Sequence, residues 1–183
     1  MIFNEIFEVP SVANSIENIL ATDYERQIVE KMKKNNFTKE MLIQLIENHF
    51  TQLDVDIESE RMLWQMYHRG VINKVMVGDV VQYTSSTVYT RMAYLAQYER
   101  DLWEKVPVKI RDDIDNWYVE QYAKGALPRL EEIQNGEREL IENAYFFTLE
   151  ETLDLIENLE TDLYVVPCNC RSIQMKCDAP KNV

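Results

Sequence analysis

Residues 67–85, YHRGVINKVMVGDVVQYTS, decide the fold, because the hydrophobic period of the chain changes within them. Upstream of Gly70 the apolar residues recur every three or four positions, which predicts a helix that ends at this glycine. Two β-branched runs follow, VINKVMV and VVQY, separated by Gly78 and Asp79. Glycine in the first position of a two-residue turn favours a tight β-hairpin. The stretch therefore predicts a helix followed by two antiparallel strands.

Three helices are predicted to precede this hairpin. Thr22 and Glu25 have the spacing of a capping box, which predicts the start of the first helix. Thr38 is the predicted N-cap of the second helix. The third helix follows the acidic link DVDIESE and ends at Gly70. Three helices and a hairpin are the order of a winged helix, and residues 24–85 resemble the winged-helix proteins of bacterial regulators.

The composition indicates a mainly helical protein, because four glycines and five prolines accompany many Leu, Ile, Glu, Lys and Met residues. The predicted fold class is mainly α with a small β-hairpin: a winged-helix-like N-terminal domain and a helical C-terminal segment. Gly125 and Pro128 mark the predicted domain boundary. Residues 1–124 are then the winged-helix-like domain with its following helices, and residues 125–183 are an acidic helical segment that ends in a cysteine-containing loop.

The net charge of −13 is unevenly distributed along the chain. Residues 1–23 carry −4, residues 24–111 carry +1 and residues 112–183 carry −10. Proteins that bind DNA phosphates usually present a basic face, because each neutralised phosphate releases counterions. Within this chain, the middle third alone could supply such a face.

The third predicted helix would lie in the major groove if the domain bound DNA. Its leading end is acidic, which repels phosphate and favours a role in protein docking or dimerisation. DNA binding remains the alternative, with Arg61, Arg69 and Lys74 as the candidate contacts to DNA or to a partner. The expected exposed side chains of this helix are Glu58, Glu60, Arg61, Gln65, His68 and Arg69. Further positive charge is expected from Arg91, Arg100, Lys105, Lys109 and Arg111.

A second capping box, Thr148 to Glu151, predicts a helix in the acidic C-terminal segment. Its apolar residues recur at helical spacing, so the carboxylates between them are interpreted as a solvated face rather than a catalytic or metal site. The apolar positions are Leu149, Leu153, Ile156 and Leu159.

All three cysteines lie within the last sixteen residues, in the stretch YVVPCNCRSIQMKCDAPKNV. The chain has no apolar run of eighteen residues and no apolar leader, so we expect a cytoplasmic protein that does not enter a membrane. Thiols stay reduced in the cytoplasm, which favours ligand or redox roles over disulfides. Thiolates are soft ligands suited to iron–sulfur clusters, zinc and Cu(I).

The cysteine segment resembles the cluster-binding segment of a family of 4Fe-4S binding proteins of anaerobes, in which a winged-helix-like region precedes the cysteines. One residue separates the first two cysteines here, six separate the second from the third, and an arginine follows the second. The resemblance implies a 4Fe-4S cluster with Cys168, Cys170 and Cys177 as ligands. It also implies that Arg171 lies beside the thiolates and that Pro180 shapes the loop.

The family pattern places a fourth cysteine one position beyond Val183, where this sequence ends. We therefore expect an iron–sulfur loop truncated before its fourth ligand. The cluster is expected in the complete protein and can be missing from this form. A weaker alternative is a zinc site completed by His49 or His68, and a redox-sensing dithiol is a further one.

The predicted function is iron–sulfur electron transfer to a partner oxidoreductase, to which the acidic surface would steer the protein. The alternative is a redox-responsive winged-helix transcriptional regulator. A homodimer is compatible with either function. The sequence contains no G-x-G-x-x-G motif, no P-loop and no recognisable Ser, His and Asp constellation, so no catalytic residue is nominated and the chain is not expected to be an enzyme by itself.

Overall fold

The computed structural model describes residues 2–53, 58–135 and 148–162, which form a mainly helical architecture with one small antiparallel hairpin, as predicted. Described residues up to Asp115 form one compact unit, unit 1, and those from Asn116 belong to a second, unit 2. The helices are α1 (Phe3–Ile6), a 3-10 helix (Ser11–Ile16), α2 (Glu17–Leu20), α3 (Asp23–Met32), α4 (Lys39–Gln52), α5 (Ser59–His68), α6 (Val88–Tyr98), α7 (Arg100–Trp103), α8 (Val108–Gln134) and α9 (Leu149–Glu157). The strands are β1 (Ile72–Val77) and β2 (Val80–Ser85).

The predicted start of α3 is confirmed by a complete capping box. The Thr22 hydroxyl accepts a hydrogen bond from the Glu25 amide at 3.3 Å, and the Glu25 carboxylate accepts one from the Thr22 amide at 2.7 Å. The predicted N-cap of α4 is confirmed as well, because the Thr38 hydroxyl accepts from the Met41 amide at 3.3 Å. These side chains satisfy backbone donors that the first helical turn leaves unpaired.

Gly70 connects α5 to the hairpin and is required there for two reasons. Its φ of +68° lies in the left-handed region, which costs little free energy only for glycine. A Cβ atom added at this position would lie 2.9 Å from Cγ of Tyr94 in α6, closer than packed atoms approach. The chain can therefore turn from α5 into β1 against α6 only because this residue lacks a side chain.

The hairpin has the predicted two-residue turn, and its register runs from Ile72 opposite Ser85 to the closing pair at the turn. Gly78 has φ +61°, as a turn with glycine in its first position needs. On the other edge of β2, Phe37 and Tyr83 exchange two backbone hydrogen bonds, of 2.9 and 2.7 Å. The link between α3 and α4 thereby pairs with the hairpin. This contact involves a single residue of the link, so no sequence pattern predicts it.

The core of unit 1 combines the predicted helices with N-terminal elements that we did not predict. These elements, α1, the 3-10 helix and α2, are each too short to show a hydrophobic period. They contribute the buried residues Phe3, Ile6, Phe7, Ala13, Ile16 and Leu20. From α3, α4 and α5 come Ile28, Val29, Met32, Leu42, Ile46, Phe50, Met62, Leu63 and Met66.

The domain boundary predicted at Gly125 and Pro128 falls within a helix, because α8 continues through both residues. A proline inside a helix removes one N–H donor and costs about 3 kcal/mol relative to alanine. Good helix formers, among them Ala123 and Leu127, flank both residues and offset that cost. The two compact units divide earlier in the same helix, and the domain boundary at residue 124 stays a prediction.

Among the described helices, none combines the length and the apolar character needed to cross a lipid bilayer.

Candidate functional site

The exposed side of α5 is the surface that the sequence predicts to contact a partner or DNA. Met62, Leu63 and Met66 are buried on its other side, which turns the remaining residues outward. The expected exposure is confirmed for Glu58, Glu60, Arg61, Gln65 and His68. Near the start of the helix, a Glu60 carboxylate oxygen lies 3.0 Å from Nζ of Lys39 in α4.

An open groove of about 550 Å³ lies between the start of α3 and this side of α5. Trp64 forms part of it with 59% of its surface exposed, and its ring lies against that of His68 at a tilt of 37°, with centroids 4.0 Å apart. Tyr24, on the α3 side, is also exposed and meets the ring of Phe50 edge-on at 5.2 Å. The groove is lined by Thr22, Tyr24, Glu25, Glu58, Arg61, Met62, Trp64, Gln65, His68 and Arg69.

Sequence reasoning missed the aromatic part of this groove, although a signal for it existed. Trp64 follows Arg61 by three positions and precedes His68 by four, so all three lie on the same exposed side of the helix. A tryptophan at such a position belongs to a surface rather than to the core. Tyr24 carries no comparable signal, because its neighbour across the groove comes from another helix.

Arg69 is held in ion pairs and does not extend into solvent. Its Nη1 lies 2.6 Å from Oε2 of Glu25, and its Nε lies 3.2 Å from Oε2 of Glu99. The side chain is 21% exposed. Its expected exposure was therefore wrong, because two carboxylates from distant parts of the chain engage the guanidinium.

Arg91 is fully buried, so the expectation that it adds positive charge to the surface was also wrong. Its Nε donates to the Leu20 carbonyl at 2.6 Å, and its two Nη atoms donate to the Glu99 carboxylate at 2.5 and 3.0 Å. A second carbonyl, of Ile19, accepts at 3.3 Å. Burial lowers the pKa of Arg91 from its usual value, while the paired Glu99 raises it. An arginine remains protonated under such an influence.

Glu25, Arg69, Glu99 and Arg91 form one continuous network with two negative and two positive charges. Glu25 also caps α3, and the same Oε2 atom accepts from both the Thr22 amide and Arg69. The network joins the start of α3, the end of α5 and both ends of α6. It ties the end of α5 to α3 and α6, and two of its members, Glu25 and Arg69, also line the groove.

Lys74 on β1 is exposed, but its amine is held against aromatic rings. Nζ lies 4.1 Å from the ring centroid of Tyr67 and 5.8 Å from that of Tyr83. Cation–π contacts at exposed sites contribute about 0.5–1 kcal/mol. Beyond Lys74 the hairpin exposes four apolar side chains, Met76, Val77, Val80 and Val81, on either side of the exposed Asp79 of the turn.

The predicted cluster ligands Cys168, Cys170 and Cys177 lie outside the described residues, as do Arg171 and Pro180. Within residues 2–53, 58–135 and 148–162, no group of three or more His, Cys, Asp or Glu side chains is placed to hold a metal ion.

The two histidines that could complete a zinc site lie on separate helices. Nε2 of His49 in α4 lies 2.9 Å from the Gln27 side-chain oxygen, and the ring of His68 in α5 lies against the tilted ring of Trp64. Burial lowers the pKa of His49 from its usual value of 6.5, and the charge of Lys31 lowers it further. His49 thus already has a hydrogen-bond partner at one ring nitrogen.

Comparisons with known protein families, with curated proteins and with solved structures return no match to this chain.

Proposed function

We propose that this protein binds an iron–sulfur cluster and transfers electrons to a partner oxidoreductase, with the α5 groove as the surface that docks the partner. The observation that carries the proposal is the cysteine distribution. All three thiols of the chain lie within ten residues, and an arginine directly follows the second. Thiolates are the usual ligands of such clusters, so this donor set fits one.

Cys168, Cys170 and Cys177 would hold the cluster, which supplies one-electron redox chemistry when bound. The positive charges of Arg171 and Lys176, both within this segment, favour the thiolate form that a ligand needs. Zinc bound by the same thiolates is the weaker alternative. The order of three helices and a hairpin, with the Phe37 bridge on the edge of β2, supports a winged-helix-like assignment for unit 1.

The side chains around the groove support docking of a protein rather than DNA. Tryptophan, tyrosine and arginine are enriched in protein interfaces, and all three are exposed here, as Trp64, Tyr24 and Arg61. A residue of this kind, exposed beside a concave surface, contributes to binding by burying its ring against the partner.

The charges of the same surface argue against a phosphate backbone as its ligand. On α5 and the hairpin, the exposed cations are Arg61 and Lys74, while Glu58 and Glu60 occupy the start of the helix. A DNA-binding face gains affinity in proportion to the number of phosphates it neutralises. The net charge of −13 instead favours a partner with a basic surface.

Anaerobic reconstitution with ferrous iron and sulfide tests the cluster assignment. We expect bound iron, acid-labile sulfide and broad visible absorbance in the wild-type chain, and the loss of all three in the C168S/C170S/C177S variant. The matched control is K181A, a substitution in the same segment that leaves every cysteine in place. Equal iron in the wild type and the triple variant, or bound zinc without iron, would contradict the assignment.

A gel-shift assay with random-sequence duplex DNA tests the choice of protein over DNA. We expect no shifted species near 150 mM salt, since the groove presents few cations. A shift that weakens steeply with salt and is reduced in the R61A/K74A variant would overturn the docking proposal. That result would favour the redox-responsive regulator instead.

A further inference from the structure

The outer half of the hairpin exposes apolar side chains on both of its faces. Residues opposite each other in two strands share a face, and the next pair along the strands lies on the other face. Met76 and Val81 are therefore on one face, and Val77 and Val80 are on the other. All four side chains are between 45% and 64% exposed. A partner that lies along an edge of the hairpin, rather than on one face, can cover side chains of both faces.

The edge of β1 offers backbone hydrogen bonds to such a partner. In an antiparallel pair, the residues at alternate positions direct their N–H and C=O groups away from the neighbouring strand. Tyr83 is one of them, because both of its groups bond to Phe37. Lys74 is opposite Tyr83, so Lys74 and, two positions on, Met76 direct their groups outward from β1. Within the part of the chain that the structure describes, no hydrogen bond reaches these outward groups, and the edge can accept an extended strand.

The charges of the hairpin favour a second copy of this chain as the source of that strand. Residues 72–85 contain one lysine and one aspartate, so the hairpin is neutral in a chain of net charge −13. Two hairpins can meet without the local repulsion expected between acidic segments of two copies. Lys74 and Asp79 are both exposed, and among the described residues neither belongs to an ion pair. A second hairpin can supply an opposite charge to each of them.

We propose that two copies of this chain associate through their β1 edges, in an antiparallel two-fold pairing centred on Met76. Met76 of each copy then exchanges two backbone hydrogen bonds with Met76 of the other, and Val75 lies opposite Val77 of the second copy. The two hairpins become one four-stranded sheet with apolar side chains adjacent on both faces. Such cross-strand apolar neighbours stabilise a sheet.

The charged residues select this register among the two-fold alternatives. With Met76 at the centre, Lys74 lies opposite Gly78 of the second copy, beside its Asp79, and the symmetric contact repeats this pair. A pairing centred on Lys74 would place two amines opposite each other, which is unfavourable. A pairing centred on Val75 would place each Lys74 opposite a Met76 and leave Asp79 unpaired. The proposal goes beyond the proposed function and uses neither the cysteines nor the α5 groove.

Proline at two opposite positions of the hairpin gives the first test, by sedimentation velocity on the full chain. Met76 and Val81 both direct their N–H groups outward, so proline at either position leaves the hydrogen bonds of the hairpin itself in place. M76P removes both donors at the centre of the contact and should raise the dissociation constant of the dimer about a hundredfold. V81P makes the same change on the edge of β2 and should leave the dimer intact. Circular dichroism checks that the two variants fold alike.

A charge exchange tests the register. K74D and D79K each place like charges side by side at both symmetric contacts, so each variant alone should dimerise about tenfold more weakly than the wild type. In an equal mixture, position 74 of each chain meets the opposite charge at position 79 of the other. The mixture should therefore form a heterodimer with the affinity of the wild-type dimer.

Three results would overturn the proposal. The first is a wild-type chain that sediments as a monomer at 100 μM. The second is equal affinity of the M76P and V81P dimers, which would place the contact elsewhere on the molecule. The third is a mixture of K74D and D79K that associates no more tightly than either variant alone. Because these experiments measure no iron and alter no cysteine or groove residue, their failure leaves the cluster assignment unaffected, and the reverse also holds.

Discussion

The helices α3 and α9 begin in the same way and differ in almost everything else. Each opens with a capping box whose two hydrogen bonds have nearly equal lengths: 3.3 and 2.7 Å at Thr22, and 3.2 and 2.7 Å at Thr148. α3 then buries Ile28, Val29 and Met32, whereas none of the residues of α9 is buried. A capping box specifies where a helix begins, and other parts of the chain determine what that helix packs against.

The glutamates of the two boxes show the same contrast. Glu25 is 4% exposed and accepts from Arg69 as well as from the backbone, so it belongs both to a helix cap and to a buried ion network. Glu151 caps α9 while exposed to solvent. One local motif therefore serves a tertiary contact in unit 1 and a surface helix in unit 2.

Removing Arg91 should have the largest effect, because unit 1 depends on the buried network. In R91L the Glu99 carboxylate loses its main partner and two backbone carbonyls lose a donor, so we expect a loss of about 3–5 kcal/mol in the free energy of unfolding. Urea denaturation measures it. The control R100L removes an exposed arginine from α7 and should change stability by less than about 0.5 kcal/mol. Equal effects would show that the network is not what stabilises unit 1.

The second largest difference between α3 and α9 should appear when an apolar side chain of each helix is truncated to alanine. I28A removes a fully buried side chain from α3 and should cost about 2–5 kcal/mol. L155A removes a side chain of α9 that is 47% exposed, and should cost less than about 0.5 kcal/mol. Both are measured by urea denaturation. A large effect of L155A would mean that this part of α9 is buried in solution.

Removing either N-cap should destabilise its helix by about 1 kcal/mol. The two effects should be detected by different measurements. T22A should lower the global stability of unit 1, because α3 is part of its core. T148A should instead speed hydrogen exchange in the first turn of α9, with the unfolding of unit 1 unchanged. A T148A variant that lowers the stability of unit 1 as much as T22A would remove the distinction between the two helices.

The smallest expected effect is the pH response of His49, whose partial burial has no counterpart among the titratable groups of α9. Its pKa in the folded protein lies below the usual 6.5, so folding favours the neutral ring. Its contribution to stability should be complete above pH 6.5 and diminish as pH falls toward the folded-state pKa. NMR titration of the ring measures that pKa. A value above 6.5 would contradict the burial of this side chain.

Features that depend on a few neighbouring residues could be predicted from the sequence. The boxes at Thr22 and Thr148, the helix end at Gly70 and the turn at Gly78 all depend on local hydrogen bonds or on a single φ angle. The exposure of Arg61 and Lys74 follows from helical and strand periodicity. Such features need no knowledge of the rest of the chain.

Features that depend on distant partners could not be predicted. Arg69 pairs with carboxylates 44 and 30 residues away, and nothing near it in sequence distinguishes it from the exposed Arg61. The helix α8 continues through Pro128 because many good helix formers offset one missing hydrogen bond. Sequence rules that treat proline and glycine as helix breakers do not include this balance. The burial of Arg91 likewise depends on distant partners, the Leu20 and Ile19 carbonyls.

The hydrogen bonds of Arg91 also bear on the order of events during synthesis. The Leu20 and Ile19 carbonyls that this guanidinium binds precede it by 71 and 72 residues. A chain emerging from the ribosome has made its N-terminal helices long before it makes their buried donor, and contacts of such sequence separation are slow to form. The N-terminal segment can pack on α3 before that point, but the pairing of α2 with Arg91 should be completed only after α6 has left the exit tunnel.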